Sequence, residues 1–344
     1  MGLASLLGRA SGGAKDAPRR LFLHIGMNKA GSSAIQRTLA ANEALLRGAG
    51  LLYPRAGRAR SGAHHLLSHA LGFSQGEPPP ASSPREFRDL DRRIAAEARR
   101  RDCRTVVISS EVFTTAKEVP AVRAFFADWD VRVVVYLRRH DHWWASCYSQ
   151  GVRTQSSPPW APGFEAWYAH QRKRPTKGDY RWLLAQWAAV FGEDRILVRP
   201  YEREQNAPGI VADFLAAIGY RELAAGMDTG AALHNPSLGE RELLLIDAVQ
   251  HAGLPETMRR RLVKDIAARP GQRSGAGLVP PALRRAMVEE YLEDYAWIAR
   301  NYLGRADGRL FLEPLPDPAA DWSPPEPLSP RELIEAVAAV ARWP

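Results

Sequence analysis

Several residues that bind anions lie in one short turn between a strand-like and a helix-like segment. Residues 21–26 are mostly apolar and predict a buried strand, and residues 34–39 have the spacing of a helix that Gly48 is expected to end. The turn between them contains Asn28, Lys29, Ala30, Gly31, Ser32 and Ser33. A strand that turns through glycine into a helix directs backbone N–H groups and the positive end of the helix dipole to one place. The turn therefore predicts a site for a phosphate-like anion.

The position of the lysine separates this turn from an ATP or GTP site. A Walker loop places a lysine directly after its second glycine. Gly26 and Gly31 have the Walker spacing, but Ser32 stands at the lysine position and the lysine is Lys29, inside the turn. We expect Lys29 to approach the ligand from the other side. The alternative is an ordinary glycine turn with a solvated lysine.

A second group of anion-binding residues follows another predicted strand, residues 131–137. Arg138 ends this strand, Asp141 is expected to cap the next helix, and Ser146 lies eight positions after Arg138. Arginine offers a planar fork of donors and serine adds a hydroxyl, so the strand end and the second helical turn can converge on one phosphate.

Together, the two stretches resemble the nucleotide-binding motifs of sulfotransferases. Residues 24–33 are similar to the loop that binds the 5′-phosphosulfate of 3′-phosphoadenosine 5′-phosphosulfate (PAPS), and Arg138 with Ser146 is similar to the motif that holds its 3′-phosphate. The resemblance covers about the first 150 residues. Arg139, often Asn in eukaryotic members, indicates a bacterial branch. The resemblance implies PAPS as the donor and adenosine 3′,5′-bisphosphate as the product.

A later segment, residues 233–239, looks like an Asn-x-Ser-Leu segment of the same bacterial branch. Asn235 and Ser237 are therefore predicted to contact the 3′ side of the nucleotide. The basic Arg-Lys-Gly of cytosolic members is absent. The alternative is that the Asn-Pro-Ser run caps the next helix.

A base for the acceptor's proton is expected at the end of a third strand. Residues 105–108 are apolar or β-branched, and two serines and Glu111 follow them. Glu111 is therefore expected at the carboxyl end of a central parallel strand, where the sites of such sheets form. Glu111 is the predicted base, with His64 or His65 as the alternative; Glu111 could instead cap a helix or form a salt bridge. His65 and His69 have a zinc-like spacing but lack a third ligand, so no metal is predicted.

The predicted chemistry is an in-line displacement at sulfur. Lys29 is placed to stabilise the leaving oxygen, and donors aimed at developing charge are usually the largest catalytic contribution. The base removes the acceptor's proton. Lysine, arginine and helix dipoles neutralise the nucleotide, so this chemistry requires no metal.

The elements that position these residues alternate between strand and helix. This order predicts an α/β, three-layer fold with a central, mostly parallel sheet, a P-loop-like strand–loop–helix and a C-terminal helical layer. The helical layer is expected from three helices at 239–252, 256–268 and 281–303. Residues 1–20 are predicted to form a mobile tail, 21–316 the sulfotransferase domain and 317–344 a proline-rich extension with a short helix. Residues 151–178 are an insertion that forms either a lid or acceptor platform, or a packed connection.

The composition and net charge indicate which classes of ligand the protein could bind. The formal net charge of +9 favours anionic ligands, but no nucleic-acid-binding signature is present. No run approaches the roughly 20 apolar residues of a membrane span, and two cysteines form no disulfide framework. We expect a cytoplasmic enzyme.

Several alternatives stay open at this point. The acceptor would offer a hydroxyl or amine, and a glycan, a glycolipid or a small natural product would each fit. A kinase-like phosphotransferase and a non-catalytic protein that binds an anionic polymer are the rival functions. The oligomeric state is not determined by the sequence.

Overall fold

The computed structural model describes residues 19–74, 84–230, 238–268 and 275–341. Most of the predicted tail lies outside this range, as do Asn235 and Ser237.

A parallel sheet forms the centre of the molecule. Within the described residues it has five strands in the order β2-β3-β1-β4-β5, and every neighbouring pair is parallel. The strands are β1 Arg19–His24, β2 Leu51–Leu52, β3 Thr105–Ser109, β4 Trp129–Leu137 and β5 Ile196–Pro200. This arrangement, with helices on both sides, confirms the predicted α/β class.

The middle strands are apolar on both faces because helices cover both faces of a parallel sheet. Leu23 of β1 is opposite Ile108 of β3 and Val133 of β4, and none of the three is exposed to solvent. β2 is a two-residue strand at the edge of the sheet.

Of the three helices predicted after residue 238, the first two begin and end close to the expected positions. The helices are α1 Ser32–Ala41, α2 Glu43–Gly48, α3 His65–Ala70, α4 Pro84–Arg100, α5 Val119–Phe125, α6 His140–Thr154, α7 Phe164–Gln171, α8 Tyr180–Phe191, α9 Ile210–Ala217, α10 Glu240–His251, α11 Glu256–Ala267, α12 Pro281–Glu289, α13 Leu292–Leu303 and α14 Pro330–Ala341. None of the helices in the described ranges is both long and apolar enough to span a bilayer.

Three local expectations were wrong, each because of tertiary contacts. The first helix breaks at Asn42, whose amide donates to the Thr38 carbonyl at 2.8 Å and to the Asp228 carbonyl at 2.9 Å. The helix predicted over 281–303 is two helices, and Tyr291, at the break, stacks on His140 with ring centroids 3.6 Å apart. Asp141 makes no capping hydrogen bond, because its carboxylate pairs with Arg139 and Arg284.

The insertion packs against α6. Phe164 and Trp167 of α7 are buried, and the Trp167 ring meets Trp144 edge-on at 5.8 Å. These aromatic residues form a packed connection rather than a lid or acceptor platform.

The topology places a crevice between β1 and β4. The chain leaves β1 toward the β2 edge of the sheet, whereas it leaves β4 toward β5 at the opposite edge. Ligands of open parallel sheets bind where adjacent strands connect in opposite directions. The turn with Lys29 follows β1 and Arg138 follows β4, so both lie at this crevice.

Candidate functional site

The turn after β1 presents unpaired backbone donors. Lys29 and Gly31 have positive φ angles of 66° and 82°, which expose consecutive N–H groups. The N–H groups of Lys29, Gly31, Ser32 and Ser33 donate to no acceptor among the described residues. Unpaired N–H groups at a helix start are suited to hold an anion. A side chain at Gly31 would collide with the Tyr201 ring, since an added Cβ would lie 2.8 Å from it.

Lys29 is half-buried at this turn, and its ammonium has no hydrogen-bond partner in the described ranges. Burial is the main cause that lowers the pKa of Lys29, and the charge of Arg153 adds to it. Nearby Cys147 and Glu111 oppose the shift. The site therefore concentrates positive charge that a bound anion would neutralise.

Arg138 meets the same turn from the neighbouring strand. Its Nη1 donates to the Lys29 carbonyl oxygen at 2.8 Å, and its guanidinium lies 5.4 Å from the centre of the Tyr201 ring. Two cations separated by more than a hundred positions in the chain thus adjoin one turn. Among the described residues no carboxylate pairs with Arg138, so its remaining donors are available to a ligand.

Helix α6 is fastened to the turn by two contacts. Trp143 Nε1 donates to the Asn28 carbonyl at 3.0 Å, and the Asn28 amide contacts the Cys147 sulfur at 3.7 Å. The side chain of Asn28 thus contacts the protein, and the Ala30 N–H donates to Met27 at 3.1 Å. Asn28 and Ala30, both predicted nucleotide contacts, shape the turn. Burial raises the pKa of Cys147 to about 11, which keeps this thiol protonated.

Ser146 lies on α6, partly exposed, with no hydrogen-bond partner in the part of the chain that is described. It is one turn beyond His142, which lines a cleft of about 560 Å³ together with Arg138 and Tyr201. The cleft extends along the start of α9, where Gly209 and Ile210 complete the wall. Glu202, Glu204 and Glu313 also line the cleft. Its aromatic ring, and the donors that Arg138 does not use on the Lys29 carbonyl, are features suited to a nucleoside with an added phosphate.

Glu111 lies on the other side of the turn, after β3. Gln36 Nε2 donates to Glu111 Oε2 at 2.9 Å, and His65 Nε2 is 3.6 Å from Glu111 Oε1. A Cβ on Gly26 would lie 3.2 Å from the Glu111 backbone, so the glycine lets the two strand ends approach closely. About a fifth of the Glu111 side chain is accessible, 22%, and a substrate can reach it.

His64 and His65 have different environments. His64 is fully buried; its Nδ1 accepts from the Ser109 N–H at 3.2 Å and its Nε2 donates to the Pro54 carbonyl at 2.9 Å. Burial lowers the pKa of His64 to about 3. Because both ring nitrogens are occupied, His64 serves to hold β3 and the Pro54 segment together. His65 is half-exposed and faces Glu111 and Ser110.

No group of three or more His, Cys, Asp or Glu residues in the described ranges is arranged to hold a metal ion. The rings of His65 and His69 are 6.5 Å apart, and His69 Nδ1 pairs with the Phe73 carbonyl at 3.0 Å.

Most of the residues predicted from the sequence follow strands. Three further residues, which lie near them only in the folded structure, were not predicted: Gln36, Tyr201 and Arg153. Gln36 is one helical turn after Ser32, and Arg153 is two turns after Ser146, so helical spacing was the available signal. Tyr201 follows β5 directly, at the same edge of the sheet.

Comparisons with known proteins give limited similarity. No family model matches the chain. An uncharacterized protein from Archaeoglobus fulgidus is 32% identical over 117 residues, which is 33% of this chain and 30% of that protein. The chain thus matches less than a third of this relative's length.

A sulfotransferase from Alicyclobacillus acidocaldarius is among the similar solved structures. It matches 68% of this chain and 95% of its own, with 18% sequence identity and a TM-score of 0.40.

Proposed function

We propose that the protein is a sulfotransferase that moves a sulfuryl group from PAPS to a hydroxyl or amine of an acceptor. The observation that carries the proposal is the hydrogen bond between Arg138 and the Lys29 carbonyl at 2.8 Å. It brings the two anion-binding strand ends to one turn, as a nucleotide with phosphates at both its 3′ and 5′ positions requires.

Two groups of residues would hold the two phosphorylated ends of the donor. The free N–H groups of Lys29, Gly31, Ser32 and Ser33 would hold the 5′-phosphate, with the two serine hydroxyls beside it. Arg138, with Ser146, would hold the 3′-phosphate, because a guanidinium forms charge-assisted hydrogen bonds with phosphate oxygens. The nucleoside would lie in the cleft beside Tyr201.

The reaction forms one bond to sulfur and breaks another. The acceptor oxygen attacks sulfur while the bond from sulfur to the bridging oxygen breaks, and that oxygen leaves with the electron pair on the 5′-phosphate. Lys29 would stabilise this growing negative charge from inside the turn. The proton of the acceptor hydroxyl would pass to the Glu111 carboxylate, which Gln36 orients at 2.9 Å.

The function is tested by nucleotide binding and then by transfer. We expect calorimetry on the full chain to show that adenosine 3′,5′-bisphosphate binds at least about tenfold more tightly than adenosine 5′-monophosphate, because only the former reaches Arg138. Sulfate transfer from PAPS to a panel of hydroxyl acceptors is the second measurement. Preference for ATP with Mg²⁺ would instead support a phosphotransferase. Steeply salt-dependent binding without nucleotide preference would support a polymer-binding protein.

The base assignment has its own test. Replacing Glu111 by glutamine, which keeps the shape and removes the proton acceptor, is expected to lower kcat by about 10²- to 10⁴-fold. His64→Ala is expected to lower the melting temperature instead, since His64 is buried and paired with backbone. A fully active Glu111→Gln enzyme together with an inactive His65→Ala enzyme would move the assignment to His65.

A further inference from the structure

A second cleft, of about 530 Å³, lies between the end of α6 and helix α11. Its described lining contains four cationic side chains and no acidic one: Arg153, Arg259, Arg260 and Lys264. Arg260 pairs with Glu256 on the same helix. The other three have no carboxylate partner among the described residues. We call this feature the basic cleft.

Two buried side chains of the basic cleft are incompletely paired. Arg259 is only 6% exposed and forms no ion pair within the described ranges. Gln250 donates from Nε2 to the Val152 carbonyl at 2.9 Å, but its buried Oε1 has no hydrogen-bond partner. A buried amide oxygen is costly without a partner, and a guanidinium that forms no ion pair keeps its donors for an anion. A ligand that satisfied both would carry an anionic group and a hydroxyl donor.

The basic cleft adjoins the donor site through α6. Arg153 lines the cleft and lies two turns beyond Ser146 on that helix. After burial, the charge of Arg153 is the largest of the causes that lower the pKa of Lys29, which indicates that the two side chains are near each other. A molecule held in the cleft could therefore extend toward the reacting centre.

We propose that the basic cleft binds an acidic saccharide as the acceptor, with its carboxylate or sulfate group against Arg259 and Arg153 and a hydroxyl donating to Gln250 Oε1. The inference rests on the proposed sulfotransferase function and specifies its acceptor class. Guanidinium groups bind carboxylate and sulfate oxygens in the same bidentate geometry. A nucleic acid is disfavoured because the described lining contains no aromatic ring on which a base could stack.

The test is calorimetry on the full chain, saturated with adenosine 3′,5′-bisphosphate, with three trisaccharides at one ionic strength. The probes are tri-galacturonate, a sulfated galactotriose and neutral galactotriose. We expect at least one acidic probe to bind about tenfold to a hundredfold more tightly than the neutral one. Which acidic probe binds more tightly identifies the anion. Equal affinity for all three would overturn the inference.

Substitutions in the basic cleft test whether the acidic probe binds there. Arg259→Gln is expected to remove most of the preference for the acidic probe and to leave affinity for the bisphosphate nucleotide unchanged. Because Arg259 is buried, Lys264→Gln, at an exposed position of the same cleft, gives a second variant, with an expected loss of about threefold. The control is Arg92→Gln, which removes one charge from an exposed position of α4.

An equal loss in Arg92→Gln would overturn the inference, because it would show an effect of net charge alone. Tighter binding of a short single-stranded oligonucleotide, abolished by Arg259→Gln, would also overturn it, in favour of nucleic acid. Failure of the bisphosphate nucleotide to bind would contradict the sulfotransferase proposal instead. Nucleotide binding without an acidic preference would contradict only the acceptor inference.

Discussion

Arg138 and Arg139 are neighbours at the end of β4, but they lie in different surroundings. Arg139 is buried and forms a bidentate pair with Asp141 at 2.8 and 3.0 Å, and Arg284 joins the same carboxylate at 2.7 Å. Arg138 is half-exposed and donates to a single backbone carbonyl. Asp141, which pairs with both Arg139 and Arg284, links α6 to α12, whereas Arg138 has donors left for a ligand.

The same contrast separates His64 from His65, which are adjacent at the start of α3. Both nitrogens of His64 are satisfied by backbone groups, whereas His65 faces Glu111 across 3.6 Å. In both pairs residue type is shared and environment differs. An incompletely satisfied polar group at the carboxyl ends of the strands is therefore a better indicator of function than residue type.

The largest expected effect is the loss of stability when the buried ion pair of Arg139 and Asp141 is broken. Replacing Asp141 by asparagine leaves Arg139 buried without its carboxylate, and we expect a loss of about 3–5 kcal/mol in the free energy of unfolding. Chemical denaturation measures it. Asp294→Asn is the matched control, because Asp294 pairs with Arg181 at the surface, and a loss below about 1 kcal/mol is expected there. Equal losses would contradict the distinction.

Next in size is the loss of the unpaired lysine. Lys29→Ala is expected to lower kcat by about 10²- to 10³-fold, because in the proposed mechanism it removes the donor to the leaving oxygen. The melting temperature should change little, since Lys29 stabilises no described partner. Lys173→Ala, at an exposed position, is the control with unchanged kcat. Unaltered turnover in the Lys29 variant would remove this residue from the mechanism.

A smaller effect is expected at Arg138. Arg138→Ala should weaken binding of adenosine 3′,5′-bisphosphate about tenfold to a hundredfold, the loss of charge-assisted hydrogen bonds to one phosphate. Affinity for adenosine 5′-monophosphate should change much less, and titration calorimetry compares the two. Equal weakening of both nucleotides would show that Arg138 only supports the turn through the Lys29 carbonyl.

The smallest expected effect is the loss of stability at low pH, when Asp141 in its pair with Arg139 becomes protonated. Burial raises the pKa of Asp141, but the hydrogen bond and charge of Arg139, with His142 and Arg284, lower it to about 2. The ordinary value is 3.8, so this group adds stability at pH above about 4 and loses it as the pH falls through about 2. The expected contribution is about 2 kcal/mol. Denaturation at pH 6 and pH 2 should show this loss in the native protein and its absence in Asp141→Asn.

Prediction from the sequence was accurate where local pattern decides structure. The runs at 21–26, 105–110 and 131–137 are mostly apolar, the last two also rich in β-branched residues, and each contains most of a parallel strand. Topology then brings their ends to one edge, which is why Lys29, Glu111 and Arg138 could be named before the fold was known. Asn235 and Ser237 lie outside the described residues, and their role stays a prediction.

Prediction was less accurate where a side chain's partner lies far along the chain. Asp141 has the local pattern of a helix cap, but Arg284, 143 positions away, draws its carboxylate into the core. Gln36 had no visible role until β3 brought Glu111 within 2.9 Å.

Local sequence pattern was therefore enough to predict the order of strands and helices, the glycine turn that exposes backbone donors, and the cations placed at strand ends. Hydrophobic periodicity and turn chemistry are local properties, so they are readable without coordinates. Only the tertiary structure decided which of two adjacent arginines is neutralised and which of two adjacent histidines is buried. It also gathered Arg153, Gln250 and Arg259 around one cleft. Burial and electrostatic pairing depend on contacts between distant residues, and those contacts exist only once the chain has folded.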